Sequence, residues 1–222
     1  MVEMKKISRR NVIRLGLAGT ILSMTGVTKS WGRGLLMPTP AEVEGPFYPV
    51  ADQTDKDADM TRVAGRSGVA KGEAIVIEGT ITDASGKPVA DAVIDIWQAN
   101  AAGRYNHPRD PNPAPHDPDF QGWAVIRSDA KGHYQFITVK PGAYPATKTW
   151  IRPPHIHFKI SGHGFRTLIT QMYFPHDPLN KTDLLLRSKT ARQQSAMIAS
   201  AEGQHGDLTV YAYNIVLTPL AR

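Results

Sequence analysis

Between Glu73 and Leu217 the chain is cut into short runs by turns rich in glycine, proline, aspartate and serine, and this punctuation most constrains the fold. The β-branched run 73–82 ends at the turn Asp83-Ala84-Ser85-Gly86. Residues 92–97 form a second run, and 123–127 and 133–138 flank the turn Asp129-Ala130-Lys131-Gly132. The histidine run 155–160, then 167–174 and 211–217, complete the series. Short strands at roughly even spacing predict an all-β fold, a β-sandwich of mainly antiparallel strands. One short helix is predicted in the C-terminal half, within 187–201. The segment 100–122 holds five prolines and must be a long loop, and loops of that length in compact domains are usually functional or disordered. The motif Pro-His-Asp-Pro occurs at 115–118 and again at 175–178, and reads as turn chemistry.

The length of 222 residues suits one domain with extensions. The division expected is residues 1–36 as export signal and linker, 37–72 as an N-terminal arm, and 73–222 as the sandwich. Without cysteine the chain cannot form disulfides, thiolate zinc sites, iron–sulfur clusters or a cysteine nucleophile, so any metal must be held by His, Tyr, Asp or Glu. The formal charge of +6 suggests a polyanion partner only until it is located. Seven of the 26 Lys/Arg but one of the 20 Asp/Glu lie in residues 1–34, so the remainder carries nineteen of each sign. No nucleic-acid partner is expected. Ser8-Arg9-Arg10-Asn11-Val12-Ile13-Arg14 resembles a twin-arginine export signal. The apolar run 15–27 behind it is too short and too weak to span a membrane. The expectation is export to the periplasm or exterior, with no stable membrane insertion once the signal is removed.

Arg152-Pro153-Pro154-His155-Ile156-His157-Phe158-Lys159-Ile160 carries the chemistry. As a strand it sends His155, His157 and Lys159 to one face and Ile156, Phe158 and Ile160 to the other, so two imidazoles stand side by side opposite an apolar core face. Two histidines alone could serve zinc, copper or iron. No HExxH is present and no carboxylate lies near the pair, which weakens a zinc hydrolase or a two-His-one-carboxylate iron site. Tyrosines precede the pair in two loop settings, Gly103-Arg104-Tyr105 and Pro141-Gly142-Ala143-Tyr144-Pro145.

The ordered segments Trp97-Gln98-Ala99-Asn100, Gly103-Arg104-Tyr105, Lys140 to Pro145, Arg152 to Phe158 and Thr170-Gln171-Met172-Tyr173-Phe174 resemble the intradiol ring-cleavage dioxygenases, especially the iron-binding subunit type of protocatechuate 3,4-dioxygenases. The likeness runs from about Glu44 to the final strand. It implies a mononuclear non-haem Fe(III) held by Tyr105, Tyr144, His155 and His157. A hard phenolate suits a hard ferric ion, which can pull a phenol's ordinary pKa of about 10 below neutrality. The resemblance further implies that Tyr144 is the ligand that leaves and acts as base. Arg152 would stabilise negative charge on the substrate, Gln171 would stand near the O2 side, and Trp97 would pack beneath the site. The substrates implied are O2 and a small aromatic diol of the catechol, protocatechuate or hydroxyquinol class, and a homo-oligomer is compatible with the pattern.

One departure bears on substrate choice: Ala146 follows Tyr144-Pro145 where family members commonly carry an aromatic, which should enlarge the pocket. Phe47 and Tyr48 in the arm are candidates for its entrance. A competing reading comes from residues 77–93, which also resemble transthyretin-like and carboxypeptidase-regulatory β-sandwich modules, binding domains without chemistry.

Overall fold

The structure is a computed structural model, and it describes residues 35–53 and 55–221. The twin-arginine segment lies outside the described residues. The elements are strands β1 Ala74–Asp83, β2 Val93–Trp97, β3 Trp123–Arg127, β4 His133–Val139, β5 Tyr144–Pro145, β6 Ile151–Arg152, β7 His155–Ser161 and β8 Leu168–Tyr173. A 3₁₀ turn Pro178–Lys181, helices α1 Leu184–Arg187 and α2 Ala191–Met197, and strands β9 Ser200–His205, β10 Leu208–Ala212 and β11 Ile215–Leu217 follow. One sheet is antiparallel, in the order β3-β2-β7-β8; in the other β1 is paired by β4, β10 and β11, with β9 on the far side of β10. The fold is the expected β-sandwich.

The two sheets bury Ile156, Phe158 and Ile160 of β7 against Ile75, Ile77, Tyr134, Phe136 and Tyr213 of the opposite layer. The Phe158 ring meets Tyr134, Phe136 and Tyr213 at 6.2, 6.1 and 5.3 Å between centroids. Each such side chain taken from water stabilises the fold by about 1.5–3 kcal/mol. The alternation read from the sequence is thus realised.

Two elements differ from expectation. Residues 187–201 do not form one helix. Asp183 caps α1, Ser188 ends it, and Thr190 starts α2 with a reciprocal cap to Gln193, while Ser200 onward turns into strand β9. Two capping side chains seven residues apart, Asp183 and Thr190, break the helical pattern, because each satisfies the first N–H groups of its own short helix. The run 211–217 is also two strands rather than one. The Asn214 side chain accepts the Thr80 N–H at 3.0 Å, breaking the ladder where β1 passes from parallel pairing with β10 to parallel pairing with β11.

Both Pro-His-Asp-Pro stretches are turns. Asp117 accepts the N–H groups of Lys71 and Asp119, Asp177 caps the 3₁₀ turn through Leu179 N–H, and His116 and His176 are exposed.

Candidate active site

Sheet register explains how residues far apart in sequence meet. Trp97 of β2, His157 of β7 and Gln171 of β8 are cross-strand neighbours in one row, and His155 lies beside Tyr173 in the next. The small β5–β6 hairpin pairs Tyr144 with Arg152. Tyr105 arrives from the long loop. Asn100 shapes that loop by accepting the N–H groups of Ala102 and Arg104, and Asp110 accepts Tyr105 N–H at 2.7 Å. Gly103 has φ +81°, and a Cβ there would strike the Ala143 carbonyl, so the loop bearing Tyr105 packs directly on the residue before Tyr144.

The four predicted donors converge. His155 Nε2 and His157 Nε2 lie 3.3 and 3.0 Å from Tyr105 Oη. Tyr144 stands edge-on to Tyr105 at 5.5 Å and 5.6 Å from His155. All four are buried, with 2, 7, 2 and 3 % exposure for Tyr105, Tyr144, His155 and His157. His155 Nδ1–H donates to the Pro153 carbonyl at 2.7 Å, which leaves Nε2 as a lone pair aimed inward. Trp97 stacks on His157 at 4.8 Å and 14°, the floor predicted for it.

Burial holds both imidazoles well below the usual histidine range, with Arg152 adding to the effect, so they are neutral. Burial raises the Tyr105 phenol well above its ordinary value, and the neighbouring Tyr144 adds to this. It raises Tyr144 too, while the Arg152 charge pulls the other way. The donor set therefore fits a metal ion. Both Nε2 atoms converge on the Tyr105 oxygen in a buried space, and His157 Nδ1 finds no hydrogen-bond partner, so these groups are not fully paired among themselves. Among the described residues no group of three or more His, Cys, Asp or Glu could hold a metal, so tyrosine is needed to complete the set.

Arg152 is buried beside this cluster. Its Nε donates to Asp183 Oδ2 at 2.7 Å, and one terminal nitrogen donates to Gln171 Oε1 at 2.7 Å and Tyr173 Oη at 2.9 Å. Gln171 in turn donates to the Val43 carbonyl at 3.1 Å, joining the arginine to the arm. The arm covers the site. Gly45, with φ +78°, approaches so closely that a Cβ would sit 3.4 Å from His157 Cε1. Phe47 packs 4.9 Å from the Tyr105 ring. Tyr48 lies lower than expected, edge-on to Trp97 and donating to Asp95 at 2.6 Å, so it anchors the arm while Phe47 takes the position over the tyrosines.

Asp183, Tyr173 and His107 were missed by sequence reasoning. The first carried a legible signal, an aspartate before an apolar run, but only as a helix cap. His107, expected with the other remaining histidines at the surface or in loops, is in the loop yet buried. Its Nδ1 accepts Arg109 N–H at 3.1 Å and its ring faces Phe47 at 5.7 Å.

This β-sandwich, with two tyrosines and two histidines gathered beneath an N-terminal arm, occurs in a chain similar to known dioxygenases. The sequence model of the family Dioxygenase_C, described as dioxygenase, matches residues 43–219, and the chain belongs to the intradiol ring-cleavage dioxygenases. It is 40% identical over 189 residues to the protocatechuate 3,4-dioxygenase beta chain of Burkholderia cepacia, covering 80% of each. It is 34% identical over 160 residues to the hydroxyquinol 1,2-dioxygenase of a Rhizobium strain, where it spans 66% of this chain and about half, 51%, of that one. Among solved structures, the dioxygenase domain of a dioxygenase carbohydrate-binding fusion from Streptomyces sp. SirexAA-E superposes with TM-score 0.62 at 25% identity, over 83% of this chain and 100% of that one. The hydroxyquinol 1,2-dioxygenase of Pseudomonas putida DLL-E4 shares the fold, with TM-score 0.66 at 21% identity over 83% and 68%. The family is one of enzymes, which removes the reading as a binding module without chemistry, and its members use iron.

Proposed function

We propose that this chain is an Fe(III)-dependent intradiol dioxygenase. It would insert both atoms of O2 into a catechol-type ring and open it between the hydroxyl-bearing carbons to a muconate-type dicarboxylate. The observation that carries the reading is the convergence of Tyr105, Tyr144, His155 and His157 as buried donors with Arg152 alongside. These four residues would hold the metal. When bound, ferric iron supplies the Lewis acidity that favours the deprotonated diol and draws electron density from its ring.

The chain's own residues do the rest. Held as a phenolate by the metal, Tyr144 Oη beside the Arg152 cation would be placed to take a proton from an incoming hydroxyl. Arg152, held by three partners, offers a fixed positive charge where the ring becomes anionic, and in this water-poor setting such a charge acts strongly. His155 is kept in its inward-facing tautomer by Pro153. Phe47 and Gly45 shield the donors from solvent. The small Ala146 after Tyr144-Pro145, where family members commonly carry an aromatic, would favour tolerance of ring substituents.

The test is O2 uptake with catechol, protocatechuate and hydroxyquinol, followed by product absorbance. One O2 consumed per ring with a muconate-type product is expected. A semialdehyde product, or no uptake on any of the three with iron-loaded protein, contradicts the reading. We also propose export by the twin-arginine route. A reporter fused behind residues 1–36 should leave the cytoplasm, and should stay inside when Arg9 and Arg10 are both replaced by lysine.

A further inference from the structure

The Arg152 guanidinium is fixed by three partners, of which only one carries charge. Nε meets Asp183 Oδ2 at 2.7 Å, and one terminal nitrogen is shared between Gln171 and Tyr173. The guanidinium carbon lies 5.4 Å from the Trp150 ring centre. That leaves the other terminal nitrogen as the end of the fork not committed to these partners. An arginine fork is rigid and planar, so fixing Nε and one terminal nitrogen also fixes where the remaining N–H groups point.

Asp183 is fully buried, and its two oxygens divide their work. Oδ1 accepts the N–H groups of Leu185 and Leu186 at 2.8 and 2.9 Å, starting α1, while Oδ2 is left for Arg152. The carboxylate is thereby locked in place by a helix start, and the arginine is locked by the carboxylate. A second ion pair lies on the same side, Lys189 with Glu42 at 3.1 Å. It ties the segment after α1 to the arm and holds the helix start against the site.

We propose that Asp183 is a positioning residue for the ring-opening reaction: it sets the angle of the Arg152 guanidinium and keeps Nε turned away from the substrate, leaving the uncommitted edge of the fork for the anionic ring. The inference rests on the proposed ferric intradiol activity and adds to it a residue 31 positions from Arg152 in sequence that touches neither metal donors nor ring. If Asp183 were only a helix cap and a neutralising charge, its loss would show in stability and not in the rate of the folded, loaded protein.

Two substitutions separate these roles. Asp183→Asn keeps a good cap, since asparagine caps as well as aspartate, but sets an amide donor against the Nε–H donor. Asp183→Glu keeps the charge and displaces it by one methylene. Each variant is measured for iron content, thermal unfolding by circular dichroism, kcat and KM per bound iron, and the shift of the visible band on anaerobic addition of catechol. In both, kcat per iron should fall about 10- to 100-fold, the scale expected when a supporting partner is lost or a reacting group misplaced by about 1 Å. Iron content should stay near that of the unaltered protein, and the catechol-induced band shift should be altered. Adding Asp183→Asn to Arg152→Lys should cost little more than Arg152→Lys alone, because the aspartate acts through the arginine fork. Unchanged kcat per iron in Asp183→Glu, or fully additive losses in the double variant, would overturn the proposal while leaving the functional reading intact. An unaltered, iron-loaded protein that takes up no O2 would overturn that reading and this role with it.

Discussion

The two faces of β7 are equally dry and chemically opposite. Ile156, Phe158 and Ile160 are 0 % exposed on the inner face, and His155 and His157 are 2 and 3 % exposed on the outer one. The inner face is covered by a second sheet of mainly apolar and aromatic side chains whose few polar atoms are paired, as Tyr134 Oη is with the Tyr213 carbonyl, so burial there yields mainly packing energy. The outer face is covered by irregular chain: the arm from Pro40 to Tyr48, the long loop bearing Tyr105 and the hairpin bearing Tyr144. Irregular chain can bring polar groups at arbitrary angles, and burying them without full pairing leaves donors that, in the proposed function, a metal and substrate would engage. A sheet with both faces buried thus needs a separate cover on its second face, and here the arm is part of that cover.

The contrast can be broken first at adjacent residues. His157→Ala should abolish iron binding and turnover while leaving the fold largely intact. Phe158→Ala should cost about 3–5 kcal/mol of stability, by chemical denaturation, yet keep iron in the folded fraction. If the histidine variant unfolds and the phenylalanine variant loses iron without losing stability, the division of labour is wrong.

Acid should act on the outer face alone. His155 and His157 titrate well below their ordinary value in the folded protein, so the unfolded chain binds protons that the native state refuses. Stability of the metal-free protein should therefore fall as pH drops below about 6.5, by about 1.4 kcal/mol per pH unit for each histidine, and level off once the native imidazoles protonate. Denaturation midpoints between pH 5 and 8 read this directly. A flat profile would mean that the histidines are not held neutral.

Smaller effects are expected in the cover itself. Gly45→Ala places a side chain in left-handed backbone against His157 and should cost about 1–2 kcal/mol, with weakened iron retention on dialysis. Tyr48→Phe removes one hydrogen bond to Asp95 and should cost about 0.5–1.5 kcal/mol, mainly raising KM as the arm loosens. Equal KM in the variant and the unaltered protein would show that the arm is held by its other contacts, such as the ion pair of Glu44 with Lys159 at 3.1 Å.

How much of this could be read from the sequence depended on the range of each interaction. The inner face of β7 was legible because strand alternation is local. The clustering of Tyr105, Tyr144, His155 and His157 was legible because each sits in a short motif, Gly103-Arg104-Tyr105, Ala143-Tyr144-Pro145 and His155-Ile156-His157, whose order resembles the family. The parallel pairing of β1 with β10 and β11 was hidden, since nothing local distinguishes parallel partners more than a hundred residues apart. So was the break at Asn214, which depends on an asparagine reaching Thr80 across the ladder. Asp183 could be recognised as a cap but not as the partner of Arg152, and the burial of His107 depends on Phe47 arriving from the arm.

The central claim is that tyrosines and histidines together hold ferric iron on the outer face. It is met most directly by measuring iron content and the visible spectrum of purified, iron-reconstituted protein beside Tyr144→Phe. The account predicts about one iron per chain, a reddish-brown tyrosinate-to-iron absorption, and an altered band in the variant. Colourless, iron-free protein after reconstitution, or an identical spectrum in Tyr144→Phe, would contradict it.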